Sequence, residues 1–176
     1  MGKICVLRIG HRSGRDQRIT THVFLAARAL GADEGVLCGD KDESVIRGIR
    51  KVCEVWGGNF QINYEENWRR FLIDRKKAGW KIAHLTMYGE NFEAHAKGLL
   101  KERLVVVVGA GKVPHDVYEL ADCNLAVANQ PHSEVSALAL FLDRVQSGKE
   151  FERKDEGKLV IVPNKCGKLV VRGKNE

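Results

Sequence analysis

Five cysteines, Cys5, Cys38, Cys53, Cys123 and Cys166, are too scattered for a disulfide framework, odd in number, and contain no CxxC pair. That pattern excludes a zinc ribbon and reads as reduced thiols in a cytosol, with Cys5 and Cys123 as core residues of strand-like runs. Only three prolines occur, and no repeat or low-complexity stretch goes with them. No apolar run reaches bilayer-spanning length, and Lys3 and Arg8 interrupt the short N-terminal strand where a signal peptide would lie. The expectation is a cytoplasmic protein with no membrane partner. No grouping of His, Cys, Asp or Glu has metal-ligand spacing, so no metal is expected either.

Familiar catalytic signatures are missing too. Gly109-Ala110-Gly111 follows an apolar strand, but the third glycine of GxGxxG is absent, since His115 lies near its place. A P-loop fails because Val106 stands where its first glycine belongs, and Val113 follows Lys112 where Ser or Thr would hold magnesium. There is no Gly-x-Ser-x-Gly elbow, so a Ser–His–Asp hydrolase is unsupported. A tight strand–helix connection is the plain reading of this loop. Its glycines nevertheless permit close backbone approach to a ligand.

What is present is an alternation of strand and helix patterns over 176 residues, of which 44% are apolar and 30% charged. That size and balance fit one domain with a real core. Strands are expected at Lys3–Ile9, Gly35–Cys38, Asn59–Tyr64, Lys81–Met87, Leu104–Val108 and 124–128. Helices are expected at Arg18–Leu30, Glu43–Trp56, Glu66–Ala78, Phe92–Leu100, Pro114–Leu120 and 134–146. Such alternation predicts an α/β fold, a mostly parallel sheet with helices on both faces. After Gln146, the charged stretch Ser147–Gly157 reads as a linker. Pro163-Asn164-Lys165-Cys166-Gly167 then marks the turn of a β-hairpin. The division expected is therefore 1–147 as the main domain and 148–176 as linker and hairpin.

Two segments carry the chemistry. Asn129-Gln130-Pro131-His132-Ser133-Glu134 follows a buried strand and enters an amphipathic helix that Ser133 can cap. With Gly109–Pro114 it forms a pair of strand-end loops, where α/β proteins bind small ligands. Near the N-terminus, Arg15, Arg18 and His22 cluster about the start of the first helix, with Arg18 and His22 on one face. Cations there oppose the helix dipole, a local cost that points to phosphate binding; a solvated basic face is the plainer reading. The net charge of +6 favours a polyanionic partner. The basic clusters Arg47/Arg50/Lys51 and Arg69/Arg70/Arg75/Lys76/Lys77 read as solvated helix faces that a nucleic acid can also use. Trp56, Trp68 and Trp80 read as packing residues.

Taken in order, Arg15-Asp16-x-Arg18-x-x-Thr21-His22, Ala27-Arg28-Ala29-x-Gly31-Ala32, Lys112-Val113-Pro114 and Asn129-Gln130-Pro131-His132-Ser133-Glu134-Val135 resemble the archaeal tRNA cytidine-56 2′-O-methyltransferases of the SPOUT superfamily. The resemblance runs from about Lys3 to Val145. It implies a SPOUT fold with a C-terminal trefoil knot, which periodicity could not predict, and a C-terminal β-hairpin. It implies S-adenosyl-L-methionine as cofactor, tRNA as partner and a homodimer whose site spans two chains. Carried over by position, the cofactor contacts are Leu85, then Gly109, Ala110, Gly111, Lys112 and Val113, then Val127, Ala128, Asn129, Gln130, Pro131, His132, Ser133 and Glu134. The chain departs from the pattern at Gly111, where relatives often carry an acid, leaving only backbone contacts there. The alternatives are a SPOUT enzyme acting on another RNA position and a non-catalytic RNA-binding protein of the same fold.

The implied reaction moves a methyl group from a sulfonium to a ribose 2′-hydroxyl, a weak acid whose emerging alkoxide needs stabilising. Arg18 is the residue expected to do this, with Arg15 and His22 beside it as catalytic residues. An arginine stays protonated, so it stabilises charge and does not act as a simple base. His22 or water is the better proton acceptor. Arg28 points away from this face, toward a structural or dimer-interface role.

Overall fold

The computed structural model describes residues 2–99, 101–153 and 155–173. Leu100, the expected end of one helix, and the final residues 174–176 lie outside the described residues. Six strands form one sheet in the order β3-β2-β1-β5-β4-β6, and every adjacent pair is parallel. They are β1 (Ile4–His11), β2 (Glu34–Gly39), β3 (Gln61–Tyr64), β4 (Lys81–Asn91), β5 (Leu104–Gly109) and β6 (Cys123–Ala126). The helices between them are α1 (Ser13–Ala29), α2 (Glu43–Trp56), α3 (Trp68–Lys77), α4 (Glu93–Leu99), α5 (His115–Leu120) and α6 (Glu134–Gln146).

The strands are apolar on both sides because helices cover both faces. Along β1, Ile4 and Val6 join Phe24, Ile49 and Phe141 from α1, α2 and α6. Cys5, Leu7 and Ile9 alternate to the opposite face and meet Leu72 of α3 and Val117 of α5. Phe24 and Phe60 press against Gly35 so closely that a Cβ there would collide with both rings. Burial pushes the Cys5 thiol well above its usual range and, with Asp122 adding to it, the Cys123 thiol to about 11. All five cysteines are free.

Several boundaries move from their sequence-based positions. Helix α1 starts at Ser13, not Arg18. Asp16 reaches back to accept from the Arg12 backbone N–H at 3.2 Å, and the Arg12 carbonyl accepts from the Asp16 N–H at 2.8 Å. Arg18 therefore lies in the second turn and an acid, Asp16, occupies the first. The dipole penalty inferred for Arg18 and His22 largely disappears, since that effect fades within one turn, while Arg15 stays in the first turn beside Asp16. Strand β4 runs on to Asn91 with its register to β6 shifting between Leu85 and Glu90. Strand β6 stops at Ala126, which leaves Val127–Ser133 as loop.

The hairpin is present: β7 (Leu159–Val162) pairs antiparallel with β8 (Leu169–Arg172). The segment before it lies along the main body. Glu150 is buried within a short 3-10 turn, Lys149–Glu152. The Gly157 backbone sits so tightly against Trp56 and Gly57 that no Cβ fits.

One buried acid ties three elements together. Asp42 caps α2, accepting from the N–H groups of Ser44 at 3.0 Å and Val45 at 3.2 Å. Its other oxygen faces His11 at 3.4 Å and Gln17 at 3.3 Å. Burial raises its carboxyl pKa, but hydrogen bonds from Ser44, Val45 and His11 outweigh that and hold it below the usual range. Because the folded value is depressed, the stabilisation is complete above the unfolded value of about 3.9 and is lost as pH falls through the folded one. Asp42→Ala should cost about 2 kcal/mol at pH 7. In urea melts, the gap to wild type should narrow as pH falls below about 4; a gap independent of pH would contradict this role.

Candidate functional site

Strands β5, β4 and β6 lie side by side, and the chain leaving β5, a bend within β4 and the chain leaving β6 each build one wall of a cavity of about 770 Å³. The first wall is Gly109–Val113, the second the bend His84–Tyr88 in β4, and the third Pro131, His132 and Glu134. That volume lies within the range of small-molecule sites. Gly109 is needed because Val113 folds back onto it, where any Cβ would clash.

Of the expected cofactor contacts, Leu85, Gly109, Ala110, Gly111, Lys112, Val113, Pro131, His132 and Glu134 border this cavity. Val127, Ala128, Asn129, Gln130 and Ser133 are not among its lining residues, and three of them have other duties. Asn129 donates to the carbonyls of Met87 at 2.8 Å and Gly89 at 3.1 Å, fastening the β4 bend to the loop after β6. Ser133 caps α6 by accepting from the Val135 N–H at 3.2 Å. Val127 packs on the core.

Arg8 is the residue that sequence reasoning missed. Its side chain lies in the middle of β1, fully buried. The guanidinium donates to the Gly109 carbonyl, to Glu134 Oε1 at 2.8 Å and to Thr20 Oγ1 at 3.5 Å. One cation thus joins two cavity walls to each other and to α1. Burial lowers its pKa while Glu134 raises it again, and an arginine remains protonated throughout. A charge inside a run as apolar as Val6-Leu7-Arg8-Ile9 demands a buried partner. That demand was the available signal.

Behind Arg8 the polar chain continues, with Thr20 2.9 Å from His11 Nδ1 and His11 3.4 Å from Asp42. His84, buried in β4, also borders the cavity. Asn124 donates its amide N–H to the Tyr118 carbonyl at 3.0 Å. Its oxygen therefore faces His84 Nδ1 at 2.8 Å, which places the proton on Nδ1. Nε2 is left as an acceptor with no partner among the described residues. Burial lowers the His84 pKa, partly offset by Asn124, and keeps the ring neutral.

Arg15, Arg18 and His22 lie exposed along α1, outside this cavity. Arg15 approaches Asp16 at 3.9 Å, whereas Arg18 and His22 pair with no described residue. The basic cluster on α3 is largely neutralised within the fold. Arg69 pairs with Asp116, Arg70 with Asp74, Arg75 with Glu34 and Lys76 with Asp122. On α2, Arg50 donates to the Ile62 carbonyl at 3.2 Å. His95 pairs with Glu90 and His115 with Glu119 at the surface. Trp80 is buried under Arg75 and Arg103 as a packing residue.

This architecture is that of the TrmH/SpoU methyltransferases. The Aquifex aeolicus TrmH/SpoU tRNA modifying enzyme superposes with a TM-score of 0.65 at 17% identity, over 86% of this chain and 78% of that one. AviRb of Streptomyces viridochromogenes, a SpoU methyltransferase solved with AdoMet, superposes with a TM-score of 0.62 at 13% identity, over 84% and 58%. At such identities the likeness concerns the fold. Sequence is more specific. The family model described as tRNA ribose 2′-O-methyltransferase, aTrm56, matches residues 56–171. The tRNA (cytidine(56)-2′-O)-methyltransferase of Methanopyrus kandleri is 52% identical over 169 residues, 95% of each chain. That of Methanocaldococcus jannaschii is 50% identical over 174 residues, 96% of each. The chain belongs to the tRNA ribose 2′-O-methyltransferase family.

Arg8→Met leaves Glu134 beside an apolar side chain and frees the Gly109 loop. Thermal unfolding should show a loss of about 3 kcal/mol. The double variant Arg8→Met/Glu134→Leu should recover part of that loss, because no unpaired charge remains. Equal stability of Arg8→Met and wild type would mean that the clamp holds nothing.

Proposed function

We propose that this protein transfers a methyl group from S-adenosyl-L-methionine to the ribose 2′-hydroxyl of cytidine 56 in tRNA, acting in the cytoplasm as a homodimer. Near-full-length likeness, at about half identity, to relatives named for that reaction carries the reading. The absence of a described helix long and apolar enough to cross a membrane is consistent with the location, and no metal-binding group occurs among the described residues.

The cavity suits the donor. Its walls are largely backbone and apolar side chains, and its one carboxylate, Glu134, is balanced by buried Arg8. A site for a sulfonium that loses its charge during reaction benefits from walls without an unpaired carboxylate. When bound, the donor supplies an activated methyl group; the protein supplies position and proton management. Leu85, the 109–113 loop, Pro131, His132 and Glu134 hold it, while Val127, Ala128, Asn129, Gln130 and Ser133 shape the loop that does so.

The hydroxyl must be met from elsewhere. Arg18 and His22 stand on the exposed face of α1, away from the cavity of their own chain. In a homodimer the α1 face of one protomer completes the cavity of its partner. Arg18 then steadies the developing alkoxide, Arg15 holds adjacent phosphate, and His22 or water takes the proton. Exposed Leu140 on α6 and the apolar hairpin residues Ile161, Leu169, Val170 and Val171 are surfaces that association covers. Residues 1–147 form the methyltransferase domain and 148–176 its linker and hairpin. The β5-β4-β6 arrangement accommodates the C-terminal trefoil knot of the superfamily.

Incubation of unmodified tRNA with labelled donor should yield 2′-O-methylcytidine at position 56 on mass spectrometry of the digest, and a 2′-deoxy nucleotide there should abolish it. Methyl at another position, on a base nitrogen, or nowhere despite donor binding would replace this reading. Arg18→Ala should lower turnover about 10²-fold with donor affinity unchanged. Mixing Arg18→Ala with Gly109→Val should restore part of the activity if each site draws on both chains. No restoration from co-expressed, verified heterodimers would place both residues in one protomer's site.

A further inference from the structure

A second cavity, of about 310 Å³, opens on the far side of the Gly109–Pro114 loop, bordered by Gly10, Arg12, Gly39, Trp68 and Lys112. Ala110, Gly111, Lys112 and Val113 border both cavities. A single layer of loop therefore separates this cleft from the donor site. Its volume suits one nucleotide-sized group.

The side chains around it have a shared chemistry. Trp68, the first residue of α3, is half-buried against the second core and turns part of its indole toward the cleft. Arg12 is 46% exposed. It uses Nε on Asp16 at 2.9 Å and Nη2 on the Ala110 carbonyl at 3.2 Å, which leaves Nη1 unengaged among the described residues. Lys112 is exposed and pairs with no described residue. Two acids lie nearby: Asp16 is buried beneath Arg12 and occupied by it, and exposed Asp40, next to Gly39, accepts from the Ser13 N–H at 3.0 Å. A cation–ring–cation arrangement of this kind matches single-stranded nucleic acid, whose bases stack on aromatic faces while basic groups take the phosphates. An acidic peptide would use the cations but has no group for the ring.

We propose that this cleft binds a nucleotide neighbouring the methylated one, its base against Trp68 and its phosphate between Lys112 and Arg12. The proposal rests on the tRNA-methyltransferase reading. It locates the RNA on the other side of the wall that carries the donor, so that a chain passing over Gly111 brings the neighbouring ribose to the first cavity.

The test is equilibrium binding of unmodified tRNA, which needs no turnover, beside calorimetric binding of S-adenosylhomocysteine. Trp68→Ala should weaken tRNA about tenfold and leave the donor-product affinity unchanged. Trp68→Phe should recover most of the loss, since a phenyl ring still stacks. Lys112→Ala should lower the slope of log affinity against log salt by about one. Tryptophan fluorescence should be quenched by tRNA in wild type and much less in Trp68→Phe. The proposal is overturned if Trp68→Ala, shown to be folded by its S-adenosylhomocysteine binding, holds tRNA as wild type does. Should Trp68→Ala not fold, unchanged quenching in Trp68→Phe together with an unchanged salt slope in Lys112→Ala overturns it. Wild-type protein that binds tRNA but methylates nothing would count against the enzymatic reading and leave this one to be judged by the variants.

Discussion

Burial of one guanidinium in the centre of the sheet constrains the walls of the larger cavity. Arg8 cannot sit in β1 without partners, and the partners it takes are the Gly109 carbonyl, Glu134 and Thr20. Two loops separated by some twenty-five residues in sequence are thereby brought to one point. Loops are ordinarily the least ordered parts of an α/β domain. Here a charge-assisted contact sets the spacing of two cavity walls before any ligand arrives. The same contact cancels the charge of Glu134, the one carboxylate that lines the pocket.

Position in the fold explains why function gathers at this end. The strand order places β5 between β1 and β4, and β4 between β5 and β6. Consecutive loops at the carboxyl ends of β4, β5 and β6 therefore face one another. Asn129 ties two of these, and Arg8 ties the other pair. The proposed donor cavity is lined by groups of one chain, whereas exposed cations stand on α1 and beside Trp68.

Much of this was legible in the residues. Alternating strand and helix patterns, the β-branched run Leu104–Val108 and the Asn129–Glu134 loop located the sheet and two of the loops that border the larger cavity, because those signals are local. Glu43–Trp56 and 134–146 matched at both ends, each having a side-chain cap at its start. Non-local facts stayed hidden. The start of α1 at Ser13 depends on Asp16 reaching back to Arg12, not on a Ser/Thr cap. The β4 bend depends on Asn129, some forty residues away. Arg8 looked like an interruption of an apolar strand, and its meaning lay in a partner 126 residues along the chain. Charge on α3 read as a solvated face that a nucleic acid can also use, and the sequence did not show that Asp116, Asp74, Glu34 and Asp122 pair with much of it.

The central claim, that the methyl donor lies between the paired loops after β5 and β6, is tested most directly by amide hydrogen exchange with and without S-adenosylhomocysteine. Slowed exchange concentrated in residues 109–113 and 129–135 and in the β4 bend, with α2 and the hairpin unchanged, is the expected result. Protection that leaves both loops unaltered and appears elsewhere in the chain would contradict it.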